Sequence, residues 1–307
     1  MDANGYKSSL RNILLADDGS LHSRAAVDLI ADLPHPPDCV VTALRVFTPL
    51  QTAEQDSMEA VLKVTGSRLA EKGLTVKTEF LLGYPSAKIL EYADEHNPDL
   101  VVMGAKGLRN ALGIPIGGVA MHLLEDGRFP VLIVRAPYQG LKKILLVVDG
   151  SSCSNVACHY LGAFPMPESA EVVVMNVVPP RVLPVIAEPF PGGVIMPSVA
   201  SSVSEENEEQ RLAADMEGMR IIKTTIETLA GHRIHATAQL ARGDAAEEII
   251  SFARKLSVDL IVSGSRGMGA VRGWLVGSVS RKLAYYAGCS VLIARCLPDK
   301  QEDPFLP

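Results

Sequence analysis

The sequence predicts an α/β protein made of two tandem, doubly wound domains, each with a five-stranded parallel sheet. Three observations lead to this fold class. The 307 residues suit two domains of ordinary size. The chain repeats itself, and each copy alternates short β-branched runs with longer helix-like segments, which is the pattern of a parallel sheet wrapped by helices.

The internal repeat is visible in both the first strand and the later glycines. Residues 143–151 match residues 12–20 at an offset of 131, and this offset continues to Pro180 against Pro49. From Gly83 against Gly243 onwards, the offset is 160. The second copy therefore contains 29 additional residues between Pro180 and Gly243.

Each copy is predicted to have five strands and four helices, with ligands expected at the carboxyl ends of the strands where the strand order reverses. A single large sheet is the less favoured alternative. In the first copy the predicted strands are 11–16, 39–47, 75–82, 99–104 and 130–135, and the helices are 20–33, 52–72, 85–97 and 117–127. In the second copy the strands are 143–148, 171–178, 233–240, 258–263 and 290–295, and the helices are 152–163, 203–230, 244–256 and 278–287.

The domain boundaries follow from the repeat. We expect domain 1 at residues 1–138, domain 2 at 139–298 and a tail at 299–307, with a short Pro- and Gly-containing junction between the copies. The insertion lies at about 180–202 and is rich in proline, so no regular element is predicted in 179–198. A surface loop and an arm that packs on a neighbouring domain or subunit are both open.

A long helix is predicted after the insertion. Ser202 and Glu205 have the spacing of a capping box. Apolar residues then follow helical spacing as far as Gly231. They are Leu212, Met216, Met219, Ile226 and Leu229.

Composition limits the class of protein and its compartment. The chain is 48% hydrophobic and 21% charged, which is typical of a soluble globular protein. A net charge of −6 argues against nucleic-acid partners and anionic membranes. No signal-like start and no run of about 18 apolar residues is present, so no membrane insertion is expected. Five scattered cysteines without a CxxC pair favour reduced packing residues and a cytoplasmic location.

A glycine-rich loop at 264–278 is the most informative stretch. It follows the apolar run 259–263 and precedes a helix-like segment. Gly264 and Gly267 allow a tight turn and close approach of a ligand. The start of the helix favours a bound anion, and Ser278 adds a hydroxyl as an N-cap or as a phosphate ligand.

The spacing G-x2-G-x9-G-S resembles the nucleotide-binding motif of the ATP-binding branch of the universal stress protein family, whose domains are Rossmann-like. The resemblance implies an adenine nucleotide as ligand: ATP, with magnesium arriving on its phosphates, while ADP and AMP would use the same adenine and ribose contacts. It also implies domain pairing through the strands 130–135 and 290–295, and allows a homodimer. By this resemblance, adenine and ribose are held by Asp149 and the backbone near Val147 and Val177, ribose and phosphate by Gly264 and Gly267, and the phosphates by Gly277, Ser278, Val279 and Ser280.

Several site residues keep two interpretations. Asp149 either accepts hydrogen bonds from a ligand or caps the helix that starts near Ser151. Arg266, Arg272 and Arg242 either reach outer phosphates or are solvated surface side chains.

The first copy departs from the motif. Gly104, Gly107 and Gly117 are in place, but Gly118 replaces the serine. Asp17 precedes Asp18 and adds a second negative charge near the expected phosphates, which Lys106 and Arg109 offset. We expect this site to be weaker, empty or changed in ligand preference.

Three functions are compatible with the sequence. The first is a nucleotide-binding regulatory protein with a stress-response role, whose bound state sets association or partner choice. The second is a slow ATPase, although no convincing water-positioning residue and no catalytic residue is identified. The third is an interaction scaffold without nucleotide. No metal site is predicted, because His232 and His235 would face opposite sides of a strand.

Overall fold

The computed structural model describes residues 10–107, 116–180, 186–189, 195–198, 204–267 and 276–296. The first copy contains β1 (Asn12–Ala16), α1 (Leu21–Asp32), β2 (Val40–Phe47), a 3₁₀ helix (Pro49–Glu54), α2 (Gln55–Glu71), β3 (Thr75–Leu82), α3 (Pro85–His96), β4 (Leu100–Gly104), α4 (Gly118–Asp126) and β5 (Val131–Val134). The second copy contains β6 (Lys143–Val147), α5 (Ser152–Ala163), β7 (Glu171–Val178), β8 (Ile186–Pro189), β9 (Ile195–Ser198), α6 (Ser204–Gly231), β10 (Ala236–Arg242), α7 (Ala245–Lys255), β11 (Leu260–Gly264), α8 (Ser278–Tyr286) and β12 (Ser290–Ala294).

The main sheet has the order β10-β7-β6-β11-β12-β5-β4-β1-β2-β3. Within each half the strands are parallel. Each half therefore has its reversal of strand order beside its first strand, between β1 and β4 in one half and between β6 and β11 in the other. This is where a doubly wound sheet opens a crevice at the carboxyl ends of its strands.

The two halves join through β5 and β12, which pair antiparallel. Leu132 faces Leu292, and these residues are equivalent in the repeat, so a local two-fold axis passes between them. The expected pairing of the last strands is thus present. It makes the ten strands one continuous sheet, which is the alternative that the sequence analysis favoured less. The physical reason is that the exposed edges of two sheets satisfy each other's backbone hydrogen bonds.

The core lies on both faces of this sheet. One buried cluster packs α1, α2, α5 and α6 against one face, and the other packs α3, α4, α7 and α8 against the opposite face. The strands are apolar on both sides, as in β5 and β12, because both faces are covered.

The first helix of each copy begins in the same way. Ser20 caps α1 by accepting a hydrogen bond from the Ser23 N–H, and Ser151 caps α5 by accepting one from the Ser154 N–H. These local signals fix where the chain leaves β1 and β6. They therefore position the residues at the carboxyl ends of both strands.

Two of the predicted elements need correction. The strand predicted at 233–240 begins only at β10, because Arg233 adopts a left-handed backbone (φ 63°) and the Ile234 N–H donates to Leu229 at the end of α6. The proline-rich segment contains the antiparallel ribbon β8–β9, although no regular element was predicted. Both strands of a two-stranded ribbon are edge strands, where proline is tolerated.

The helix after the insertion is present as α6, but its apolar stripe is only partly buried. Leu229 is buried and Ile226 is partly buried, whereas Leu212, Met216 and Met219 are exposed. Ser202 lies outside the described residues, so its predicted capping box is not described. Within the described ranges, none of the helices is both long enough and apolar enough to span a lipid bilayer.

Candidate functional site

The cleft of the second copy opens at the reversal between β6 and β11. It has a volume of about 330 Å³. The fold brings together residues from four separate stretches of chain, and they include every site residue predicted for this copy except Arg242, which is not in the lining, and Arg272, which lies outside the described residues. They are Val147, Asp149, Val177, Gly264, Arg266, Gly267, Gly277, Ser278, Val279 and Ser280.

The two loop glycines are required for different reasons. A Cβ at Gly264 would lie 2.5 Å from the carbonyl oxygen of Cys153, so the loop crosses the start of α5 at backbone contact. A Cβ at Gly267 would lie 2.5 Å from Oδ2 of Asp149, so this glycine packs directly on the carboxylate. Gly264 is therefore a packing position, whereas Gly267 keeps the carboxylate in its place in the cleft.

Asp149 is not the cap of α5. Ser151 is the N-cap, and Oδ1 of Asp149 accepts a hydrogen bond from the Ser151 N–H at 3.0 Å, one residue before the helix. The carboxylate is therefore fixed by an Asx turn and lines the cleft. The capping interpretation was wrong because Ser151, two residues further along, is the N-cap.

The start of α8 forms the other wall of the cleft. Gly277 is the N-cap and makes no side-chain capping hydrogen bond, so Ser278 is the first helical residue and not the N-cap. The hydroxyl of Ser280 is buried and donates to the Gly264 carbonyl at 2.7 Å. Ser280 therefore offers its backbone N–H to the cleft, while its hydroxyl holds the loop against the helix.

The three arginines considered for outer phosphates have different surroundings. Arg266 lines the cleft, and its Nη2 donates to the carbonyl of Cys296 at 3.3 Å. Arg242 forms an ion pair of 2.5 Å with Asp215 on α6, and it is absent from the lining of the cleft. Arg272 lies outside the described residues.

The cleft of the first copy lies at the equivalent place beside β1 and β4. It is larger, about 720 Å³, and its lining includes Asp18 and the glycines at 104, 107, 117 and 118. It extends along the 3₁₀ helix and α2, where Gln51, Met58 and Val61 contribute to the wall. Arg109 lies outside the described residues, and Lys106 is not part of the lining.

Asp17 is part of the lining of the first cleft, and hydrogen bonds from inside the domain hold its carboxylate. Asp17 is buried, and its oxygens accept hydrogen bonds from the hydroxyls of Ser23 (2.5 Å) and Thr65 (2.7 Å) and from the Gly19 N–H (2.9 Å). The expectation of a second negative charge near bound phosphates stays a prediction. Side-chain donors on α1 and α2 hold this carboxylate inside the domain, which the sequence could not reveal because Thr65 is distant along the chain.

Sequence reasoning also missed Arg45. Its side chain is buried, lines the first cleft and donates from Nη2 to the Asp18 carbonyl at 2.9 Å, while Nη1 has no hydrogen-bond acceptor among the described residues. The equivalent Asn176 is neutral and donates to the Val148 carbonyl at 2.8 Å. The repeat offset of 131 would have revealed this difference. The two clefts thus present different charges to a ligand.

The geometry of both clefts suits an anion more than a metal ion. A free helix N-terminus and a glycine loop offer backbone N–H groups. Among the described residues, no group of three His, Cys, Asp or Glu side chains is arranged to hold a metal ion. The arrangement can therefore bind a phosphate-bearing ligand beside a carboxylate that accepts hydroxyl hydrogen bonds.

A tandem pair of doubly wound units, each with a cleft between glycine residues and a helix N-terminus, defines a class of α/β proteins. The chain belongs to the universal stress protein family. The family model described as "Universal stress protein family" matches residues 9–135 and again residues 140–295. The family and its stress-response role agree with the resemblance seen in the sequence.

Individual relatives agree with this assignment. The universal stress protein YxiE of Bacillus subtilis is 31% identical over 153 residues, which cover 50% of this chain and 98% of YxiE. A universal stress protein of Mycolicibacterium smegmatis is 26% identical over 308 residues, with 92% of this chain and 96% of the relative covered. The crystal structure of a universal stress protein from Archaeoglobus fulgidus shares the fold, with a TM-score of 0.63, 16% identity and coverage of 92% and 97%.

Proposed function

We propose that the second copy binds an adenine nucleotide, ATP in the first place, and that the bound state sets the association of the protein in a stress response. Asp149 and the backbone at Val147 and Val177 hold adenine and ribose. The loop glycines Gly264 and Gly267 lie against ribose and phosphate. Residues 277–280 hold the phosphates, and magnesium arrives on those phosphates.

One observation carries this proposal. The carboxylate of Asp149 and the start of α8 lie on the same cleft, with Gly267 packed against the carboxylate and with no side-chain cap on the helix. A nucleotide has the complementary arrangement, because its ribose hydroxyls donate hydrogen bonds and its phosphates accept them. The helix N-terminus favours the phosphates and the carboxylate favours the hydroxyls.

The proposal is tested on the protein as purified. The protein is denatured, the released small molecules are separated, and adenine nucleotide is counted per chain. We expect a single nucleotide per chain, and we expect it to be lost in Gly267→Val. The matched variant Gly107→Val in the first copy keeps the nucleotide.

Other outcomes assign other functions. Two nucleotides per chain, one of them lost in Gly107→Val, would mean that Gly118 does not disable the first cleft. If no nucleotide is released and adding ATP and magnesium gives no thermal shift, the nucleotide-binding function is excluded and the interaction scaffold becomes the better hypothesis. Phosphate release from ATP that disappears in both Asp149→Ala and Gly267→Val would identify a slow ATPase.

A further inference from the structure

We infer that Cys153 and Cys296 form a redox-active thiol pair beside the second cleft, and that a hydroperoxide converts them to a disulfide. Cys153 is the second residue of α5, and Cys296 follows β12. A Cβ at Gly264 would lie 3.1 Å from Cβ of Cys153, and the Cys296 N–H donates to the hydroxyl of the next loop residue, Ser265, at 3.3 Å, so the two cysteines are neighbours beside this loop. Residues 143 positions apart in the chain are thus brought together by the fold.

The surroundings of Cys296 stabilise its thiolate. The Ser152 hydroxyl lies 3.8 Å from Sγ, and the Arg266 side chain contacts the same residue through its carbonyl. The hydrogen bond from Cys153 lowers the pKa of Cys296 most, and Ser152 and Arg266 lower it further, against the opposing effect of burial. The start of α5 adds the positive end of a helix dipole.

Burial raises the pKa of the three other cysteines outside the pair, whereas that of Cys296 is lowered. Burial raises the pKa of Cys158 to about 12 and that of Cys289 to about 11. Burial, with help from Asp99 and Asp38, raises the pKa of Cys39 to about 11. Cys296 is partly exposed, so it combines access with a stabilised thiolate. This contrast singles out one cysteine of five.

The first copy has a different pair at the same place. The equivalents of Cys153 and Cys296 are His22 and Ala136, and the Ala136 N–H donates to Nδ1 of His22 at 2.9 Å. Both copies therefore connect the start of their first helix to the residue after their last strand. Only the second copy makes that connection with thiols, so the redox property belongs to one domain.

The chemistry balances with hydrogen peroxide as the oxidant. The Cys296 thiolate attacks one peroxide oxygen, so that an S–O bond forms as the O–O bond breaks and hydroxide leaves to be protonated to water. The Cys153 sulfur then attacks the sulfenic sulfur: an S–S bond forms, the S–O bond breaks, and the released hydroxide takes up the thiol proton. The two sulfurs lose two electrons together, and the peroxide is reduced to two waters.

Two measurements on the full chain test the pair. Iodoacetamide at neutral pH, followed by peptide mass spectrometry, should label Cys296 about tenfold faster than Cys289, which is also partly exposed. Arg266→Gln should slow this labelling. Hydrogen peroxide should then give a cross-linked peptide containing residues 153 and 296, in the wild type and in Cys289→Ala alike.

The single variant Cys153→Ala separates the steps. In it, peroxide should stop at a sulfenic acid on Cys296, which dimedone captures. Equal labelling of Cys296 and Cys289, or a peroxide-treated wild type without the cross-linked peptide, would overturn the inference. Because these readouts do not involve nucleotide, they hold whether or not the proposed function is correct.

Arg266 connects the thiol pair to the cleft, so we expect oxidation to change nucleotide affinity; this step rests on the proposed function. Nucleotide titrations of the reduced and the oxidised protein should differ by about tenfold, since one charge-assisted contact is altered. Equal affinities would overturn the coupling between oxidation and nucleotide binding, whereas the inference of a disulfide would still stand. An absence of nucleotide binding in both forms would instead be a failure of the proposed function.

Discussion

Arg135 and Arg295 are equivalent residues of the repeat, and each donates hydrogen bonds to the end of the other copy's last helix. Nη2 of Arg135 donates to the carbonyls of Ala284 and Tyr285 at 2.8 and 3.1 Å, and Nη2 of Arg295 donates to Leu124. Burial lowers the pKa of Arg295 to about 10, so the guanidinium stays charged at neutral pH. The reciprocal contacts join the two halves beside the β5–β12 pair.

Arg295→Met should destabilise the protein, because the buried carbonyls that accept hydrogen bonds from Arg295 lose their donor. We expect a loss of about 1–3 kcal/mol in the free energy of unfolding, measured with urea. The exposed Arg128 in the same region provides the control Arg128→Met. Equal unfolding midpoints for the two variants would show that the arginine contacts do not stabilise the joint.

His22 should make stability depend on pH. Burial, then the charges of Arg135 and Lys106, lower the pKa of His22 below 6.5. The unfolded chain takes up this proton first as pH falls, so the stabilisation is present above pH 6.5 and is lost below it.

Urea unfolding at about pH 7.5 and about pH 5.5 measures this dependence. The wild type should lose more stability on acidification than His22→Gln. The pKa of His35 is also lowered, but His35 is present in both proteins and its effect cancels. An identical loss in the two proteins would assign the pH dependence to other groups.

Gly264→Ala and Gly267→Ala should have different consequences although both are loop glycines. The Cβ of the first meets backbone at 2.5 Å, so we expect a loss of about 1–3 kcal/mol in stability. The Cβ of the second meets the Asp149 carboxylate, which must shift and strain its hydrogen bond from the Ser151 N–H, so we expect a smaller loss of stability, about 1 kcal/mol, together with weaker nucleotide binding. Gly288→Ala, where no atom lies within 4 Å, is the control for thermal unfolding.

Exchanging Gly118 and Ser278 should transfer affinity between the clefts, a prediction that rests on the proposed function. No atom lies within 4 Å of a Cβ at Gly118, so serine fits there. Gly118→Ser should strengthen nucleotide binding in the first cleft by about tenfold, and Ser278→Gly should weaken it in the second to a similar extent. Calorimetry in Gly267→Val and Gly107→Val backgrounds isolates each cleft. Unchanged affinities would show that the serine hydroxyl does not contribute to nucleotide binding.

Asp17→Val, which introduces the residue of the second copy, should destabilise the first domain. The change leaves the donors of Ser23, Thr65 and Gly19 without their acceptor, and each lost bond costs about 1–3 kcal/mol. Adding Thr65→Val should recover part of the loss, because one buried donor is then removed. Additive effects in urea unfolding would argue against a connected network.

The order of elements and most residues of the second cleft were predictable from the sequence. Ser20 and Ser151 act as local caps, the β-branched runs form strands, and the glycine spacing marks the loop that closes on α8. These signals act within a few residues along the chain, so they are readable without coordinates. The repeat offset supplied the equivalence of the two halves, and the family resemblance implied the pairing of their last strands.

The tertiary structure decided which atoms these residues offer. Asp17 faces two hydroxyls inside the domain, Arg45 is buried beside a cleft, and Cys296 meets Cys153 across the fold. Each of these contacts joins residues that are far apart in the chain. The sequence by itself determined the strands, helices and loop of each copy, because local backbone preferences and apolar patterning suffice for them. Only packing determined the direction and environment of the polar side chains, because burial and charge depend on what the fold places opposite them.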